Sequence, residues 1–171
     1  MGRGCLLPIL AQTTEINTFR LAKPQYCIFT GQQWKQINSY LTFNGNCREA
    51  MNFYKDCLGG ELALQTIGES PMAAHMPSVL KDNILHATLT NGNTVLMASD
   101  MVSEKGLVNG NNVSLVLDCN SVDEIKNYYS KLVVGGNADH PLEETFWGAT
   151  FGDLTDKYGN HWLLNFTKPQ E

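Results

Sequence analysis

Residues Leu142 to Phe166 read LEETFWGATFGDLTDKYGNHWLLNF, and this stretch sets the expectation for the rest of the chain. The aromatic and β-branched run Thr145, Phe146, Trp147, Ala149, Thr150, Phe151 predicts an entering strand, and Trp162, Leu163, Leu164, Phe166 a leaving one. Between them, Asp153 to Asn160 holds a glycine, two aspartates and an asparagine, the composition of a hairpin connection. A hairpin this rich in large side chains needs further strands and helices to bury it.

The other 146 of the 171 residues supply that material. Hydrophobic residues make up 43% and charged residues 17%, enough apolar content for a core and too little charge for a disordered chain. The formal net charge is −5 and no Lys/Arg cluster occurs, so nucleic acid is not an expected partner: neutralising phosphates needs grouped cations. Five cysteines (Cys5, Cys27, Cys47, Cys57, Cys119), an odd number without CxxC spacing, predict reduced thiols and a cytoplasmic protein, not a disulfide framework or a structural zinc site. No apolar run reaches the roughly 20 residues of a membrane-spanning helix. The apolar run Cys5 to Ala11 is short, broken by Pro8, and lacks a clear small-residue cleavage site, so secretion is not expected.

Residues 1–36 show no sustained periodicity and are expected to be an extension outside the core, although Tyr26 to Thr30 is β-prone and Trp34 is large. The domain is expected over residues 37–171. Ile37 to Asn44 reads as a strand. A helix over 47–58 follows, with Asn46 at the N-cap and Glu49 three residues on as a capping box. Its apolar stripe is Ala50, Phe53, Tyr54, Cys57 and Leu58, and Gly59–Gly60 is its stop. Glu61 to Gly68 is a strand and Glu69 to Asn83 a long loop. Ile84 to Thr90 and Thr94 to Ser99 are strands joined through Asn91, Gly92 and Asn93.

The same order then recurs. Asn111 to Cys119 is a strand, Ser121 with Glu124 a second capping box, Ile125, Tyr128, Leu132 and Val133 a second stripe, and Gly135–Gly136 a second stop. NFYKD at Asn52 to Asp56 corresponds to NYYSK at Asn127 to Lys131. Ala87-Thr88-Leu89 is matched with Ala149-Thr150-Phe151, and Gly92 to Met97 with Gly159 to Leu164, the second hairpin being longer by a few residues. The chain is therefore expected to be α+β: two βαβββ modules, about 37–101 and 111–167, forming a curved half-barrel sheet with helices outside.

The duplication, with YLTFNGNCREAMNFY at Tyr40 to Tyr54, VLMASD at Val95 to Asp100 and PLEETFWGATFGDLTDKYGNHW at Pro141 to Trp162, resembles the vicinal oxygen chelate superfamily (glyoxalase I, bleomycin-resistance proteins, extradiol dioxygenases), and within it the PhnB-like, 3-demethylubiquinone methyltransferase-like branch. The likeness spans about Ile37 to Thr167. It implies a homodimer, often with modules paired across chains, and a cavity between modules. In metal-using members four His, Glu or Gln ligands come from the first and last strands of each module. Alignment through the helix and the KYGN turn puts those places at Ser39, Met97, Asn112 and Leu163. None is a competent imidazole, carboxylate or thiolate donor, so no metal or other cofactor is expected there.

Strand alternation then gives an expected lining. Ser39, Leu41 and Phe43 come from the first strand, and Val95, Met97 and Ser99 from the fourth. Asn112, Ser114 and Val116 come from the fifth, and His161, Leu163 and Asn165 from the last; Trp147 could stack on a planar ligand. Leu96, Leu115, Leu117, Trp162, Leu164 and Phe166 should face the helices. The lining is mainly apolar with a few hydroxyls and amides, the make-up of a small-molecule pocket. His75, His86 and His140 read as structural or surface histidines, and Glu143 and Glu144 as a solvated pair that could otherwise serve as a base. The expected function is metal-independent binding of an apolar or aromatic small molecule, without nucleic acid or membrane. The alternatives are a metal-dependent lyase or dioxygenase with ligands such as His86, His161 and a glutamate, and a domain used only for dimerisation.

Overall fold

The computed structural model describes residues 37–168 other than position 147. The readings placed on residues 1–36 and on Trp147 lie outside the described residues. The elements in chain order are β1 (Ser39–Thr42), α1 (Cys47–Leu58), β2 (Glu61–Thr66), β3 (Ile84–Asn91), β4 (Thr94–Ser99), β5 (Leu115–Asp118), α2 (Val122–Leu132), β6 (Asn137–Glu144), β7 (Ala149–Thr155) and β8 (His161–Thr167). This is the α+β pair of βαβββ modules. Each builds one four-stranded mixed sheet, ordered β1-β4-β3-β2 and β5-β8-β7-β6, in which the first strand runs parallel to the last.

Helix α1 has the expected bounds; Ala50, Tyr54, Cys57 and Leu58 of the expected stripe are buried, Phe53 is half-buried, and Met51 is buried with them. Its N-terminus is held differently from the expected capping box. Asn46 makes no side-chain cap bond. Instead Asp100, just past β4, accepts from Gly45 N at 2.8 Å and Cys47 N at 2.9 Å through Oδ1, and from Ile84 N at 2.9 Å through Oδ2. One buried carboxylate thereby satisfies three backbone donors and ties α1 to the β3–β4 pair. Glu49 is free to reach the second module, where Tyr158 Oη donates to it at 2.8 Å. At α2 the expected cap forms: Ser121 Oγ accepts from Glu124 N at 3.1 Å, while the Glu124 carboxylate takes Asn120 N at 2.6 Å.

The double glycines serve the same purpose in both modules. Gly59 and Gly135 adopt φ of 75° and 77°, a positive-φ backbone that favours glycine, in the turn after each helix. A Cβ on Gly60 would lie 2.3 Å from Thr90 O, and one on Gly136 would lie 2.2 Å from Thr155 O, so the chain lies against the end of its third strand where only glycine fits. Thr90 and Thr155 are thus equivalent positions. Thr88, opposite Met97, corresponds to Asp153, opposite Leu163. The expected match of Ala87-Thr88-Leu89 with Ala149-Thr150-Phe151 is therefore displaced by three residues. The second hairpin is longer by a single residue, with Lys157, Tyr158 and Gly159 standing where Gly92 and Asn93 do. Thr145 and Phe146, expected to open the strand, precede β7, which starts at Ala149; Thr145 N donates to Ala149 O at 2.7 Å and Gly148 N to Thr145 O at 3.0 Å.

One buried cluster spans both modules, joining Phe43, Met51, Tyr54, Leu89 and Leu96 to Ile125, Leu154, Trp162, Leu164 and Phe166. Full burial of a side chain such as Leu164 contributes about 1.5–3 kcal/mol. At its centre is Asp156, in the β7–β8 turn. Its Oδ2 accepts from Tyr54 Oη at 2.7 Å and Trp162 Nε1 at 2.8 Å, and its Oδ1 from Tyr158 N at 2.9 Å and Asn160 N at 3.0 Å. The tryptophan hairpin therefore seats against α1 of the other module. Burial, reinforced by the Asp156 charge, holds the Tyr54 phenol well above the ordinary range, so it stays protonated and donates. No helix among the described residues is long and apolar enough to cross a membrane.

Candidate functional site

Since the helices cover one face of each sheet, the opposite face is where a site can form, and strand register decides which residues it carries. In the first sheet Ser39 pairs with Leu96, Tyr40 with Met97 and Leu41 with Ala98. Parallel partners share a face, so Tyr40 and Thr42 stand beside Met97 and Ser99, while Ser39, Leu41 and Phe43 turn toward the helices. Phe43 is 4% exposed within the core. This corrects the expected lining for β1 by one position. The strand carries apolar side chains on both faces, so alternation alone does not orient it. Tyr40 is 49% exposed and its ring lies 6.0 Å from that of His86. His86 Nε2 and Thr88 Oγ1 are 3.1 Å apart on the same face.

In the second sheet Val116 pairs with Leu163 and Asp118 with Asn165, so Val116, Leu163 and Asn165 share the open face as expected. His161 joins them by alternation, and Ser114 meets it directly, Oγ to Nδ1 at 2.8 Å. Leu115, Leu117, Trp162, Leu164 and Phe166 face the helices. Asn112 is exposed and precedes β5. Val116 is 62% exposed, a branched apolar side chain on the middle of a sheet face.

The register also brings to this face a polar group that the sequence reading did not single out. Asp153 lies beside Leu163, Thr155 beside His161, and β6 adds Asp139 and His140. His140 Nδ1 is 2.9 Å from both oxygens of Asp153, whose side chain is only 12% exposed. His161 Nε2 is 3.8 Å from Asp139 Oδ2, which also accepts from Thr155 Oγ1 at 2.7 Å. One ligand-type atom each from Asp139, Asp153 and His161 lie within 4.8 Å of one another. The bond to Asp153 raises the His140 pKa above its ordinary value. The Thr155 hydroxyl, with Asn137, lowers that of Asp139. The available signal was the alternation Phe151, Asp153, Thr155 along β7, obscured by reading Asp153 as the start of a turn.

A groove of about 260 Å³ runs beside this group, bounded by His140, Pro141, Glu143, Thr145, Phe151 and Asp153. Glu143 and Glu144 are exposed at its rim, and Lys168 Nζ lies 3.5 Å from Glu144. A larger open cleft, about 730 Å³, follows the polar side of α1 past Arg48, Asn52, Asp82 and Lys157. Neither contains an activated nucleophile. Burial pushes the Cys47 and Cys119 thiols up to about 12 and Cys57 up to about 11, so all three are inert thiols.

The four places aligned with metal ligands do not make a metal centre. Ser39 faces the helices, Met97 and Leu163 offer no nitrogen or oxygen, and Asn112 is an exposed carboxamide. His86 and His161, considered together as alternative ligands, belong to different sheets.

The comparisons agree with this architecture. Residues 35–165 match the family described as 3-demethylubiquinone-9 3-methyltransferase. Protein YjdN of Escherichia coli is 35% identical over 144 residues, covering 78% of this chain and 97% of that protein. The crystal structure of PA1353 from Pseudomonas aeruginosa superposes with a TM-score of 0.69 at 40% identity, covering 80% of this chain and all (100%) of that one. A PhnB protein from Bacillus cereus gives 0.63 at 27%, covering 78% and 100%. At the level of fold alone, a glyoxalase/bleomycin resistance protein/dioxygenase family enzyme from Burkholderia phytofirmans gives 0.51 at 14%, covering 76% and 98%. On the match over residues 35–165 and the identity to YjdN, the chain belongs to the PhnB-like, 3-demethylubiquinone-9 3-methyltransferase-like family, with the glyoxalase/bleomycin resistance/dioxygenase fold.

Proposed function

We propose that this protein binds a small apolar or aromatic molecule on the open sheet faces, and that binding requires no metal at the family's usual place. The observation that carries the reading is the composition of those faces by register: Tyr40, Met97, Val116, Leu163 and Phe151 supply apolar surface, and His86, Thr88, Ser114, His161 and Asn165, with the Asp139, Asp153 and His140 group at the β6–β7 side, supply hydrogen-bonding groups around it. Ligand pockets have this mixture. Val116 at 62% exposure and Tyr40 at 49% are surface that a ligand or a second subunit would cover. A homodimer in which the open face of one copy covers that of another would turn each face into an enclosed cavity. The inert thiols Cys47, Cys57 and Cys119 suit a cytoplasmic location.

The test is a thermal-shift screen of chelator-treated protein against planar aromatic and aliphatic small molecules. Binding in the presence of chelator, weakened when Leu163 is replaced by Arg, supports the reading. Hits that bind Leu163→Arg equally well place the ligand elsewhere and overturn it.

A further inference from the structure

We infer that Asp139, Asp153 and His161 form a divalent-cation site, displaced from the family's usual ligand places toward the β6–β7 side of the second sheet. The three groups come from β6, β7 and β8, and their donor atoms lie within 4.8 Å of one another. Two ligands of one first-row cation, each at about 2.0–2.2 Å, are separated by about 3.0–3.7 Å, near the 3.8 Å between His161 Nε2 and Asp139 Oδ2. That separation is too long for a hydrogen bond and close to what a shared ion requires.

The far side of the imidazole supplies an independent constraint. Ser114 Oγ sits 2.8 Å from His161 Nδ1, from the segment just before β5, which contributes none of the three ligands. When Nδ1 donates to that hydroxyl, Nε2 presents its lone pair toward the Asp139 carboxylate. Two electron-rich groups facing each other need a cation between them, either a metal ion or a proton on Nε2. A second group anchoring the outer nitrogen is how metal-bound imidazoles are held. Asp153, although bonded to His140, keeps lone pairs available on both oxygens. One imidazole and two carboxylates suit Zn²⁺ or Mn²⁺, and three protein ligands leave a position for water or for an oxygen of a bound molecule. None of these residues is at the places of Ser39, Met97, Asn112 or Leu163, so the site is distinct from the family's usual one.

Isothermal titration of the chelator-treated full-length protein with Zn²⁺, and with Co²⁺ followed by its visible absorption, tests the inference. The expected result is one cation per chain. Binding should weaken at least tenfold in Asp139→Asn and in His161→Gln, and about tenfold in Ser114→Ala, which keeps all three ligands but releases the ring. His75→Gln, a histidine elsewhere on the surface, should bind as the parent does. Urea unfolding curves establish that each variant is folded. Equal binding by parent, Asp139→Asn and His161→Gln, as ions held by cysteines would give, overturns the site. So does an absence of binding at millimolar Zn²⁺ by the folded parent protein. Small-molecule binding in chelator is measured separately and stands or falls without this site.

Discussion

The phenol of Tyr54, on the first helix, donates at 2.7 Å to Asp156, in the last hairpin of the second module. The same Asp156 oxygen takes the indole Nε1 of Trp162, and Asn160 Nδ2 donates to the Tyr54 oxygen at 2.8 Å. Replacing Tyr54 by Phe removes one donor from a buried carboxylate and the acceptor from Asn160. The expected cost is about 1–3 kcal/mol, read from urea unfolding followed by tryptophan fluorescence. An unchanged midpoint would show that this hydrogen bond adds nothing net to the contact between the modules.

Helix α1 provides a contrast between a local and a distant cap. Asp100→Ala leaves Gly45, Cys47 and Ile84 amides without their acceptor and should destabilise by about 2–4 kcal/mol. Asn46→Ala, the substitution the local sequence pattern singles out, should cost less than about 0.5 kcal/mol because its side chain caps nothing. Chemical denaturation of the two variants in parallel measures the difference.

Gly60→Ala and Gly136→Ala should each destabilise by more than about 1 kcal/mol, since the added methyl meets a strand carbonyl at 2.3 Å or 2.2 Å. Gly92→Ala tests the other cause of glycine preference: it has open space around it and only its φ of 57° to satisfy, so its effect should be smaller. Thermal unfolding ranks the three.

His140 should make stability depend on pH. Its pKa is raised above the ordinary 6.5, first by its hydrogen bond to Asp153 and then by that carboxylate's charge. A group with a raised folded-state pKa contributes its stabilisation in full below the unfolded value, and loses it as pH climbs through the folded value. Parent protein should therefore exceed His140→Gln in stability at pH 6, with the gap closing above neutrality. Urea midpoints at several pH values read it directly, and a gap that widens with pH contradicts the assignment.

How much of this was legible depended on whether the deciding interaction was local. Helix α1 was readable because its stripe, its glycine stop and its strand-flanked start all lie within one window. The β3–β4 hairpin was readable for the same reason. The orientation of β1 was not, because Tyr40 and Leu41 are both large and a four-residue strand takes its facing from its parallel partner β4. Nor was the cap at Asp100 readable, since a carboxylate distant in sequence outcompeted Asn46. The equivalence of Thr88 with Asp153 required the backbone contacts of Gly60 and Gly136, whereas the text similarity of Ala-Thr pairs pointed three residues away. For the site, Leu163, His161 and Asn165 followed from alternation on β8, and Ser114 from the same alternation carried back to the residue before β5, but Asp139 and His140 depend on β6, an irregular strand with register shifts whose pairing no periodicity reveals.

The central claim is that the open sheet faces hold a small molecule without a metal at the family's usual place. Native mass spectrometry of the purified full-length protein, recorded before and after chelator treatment, addresses it most directly. A dimer that carries a small organic molecule in both spectra is the predicted result. A dimer whose organic ligand departs together with a stoichiometric metal ion, in the parent and equally in His161→Gln, would contradict it.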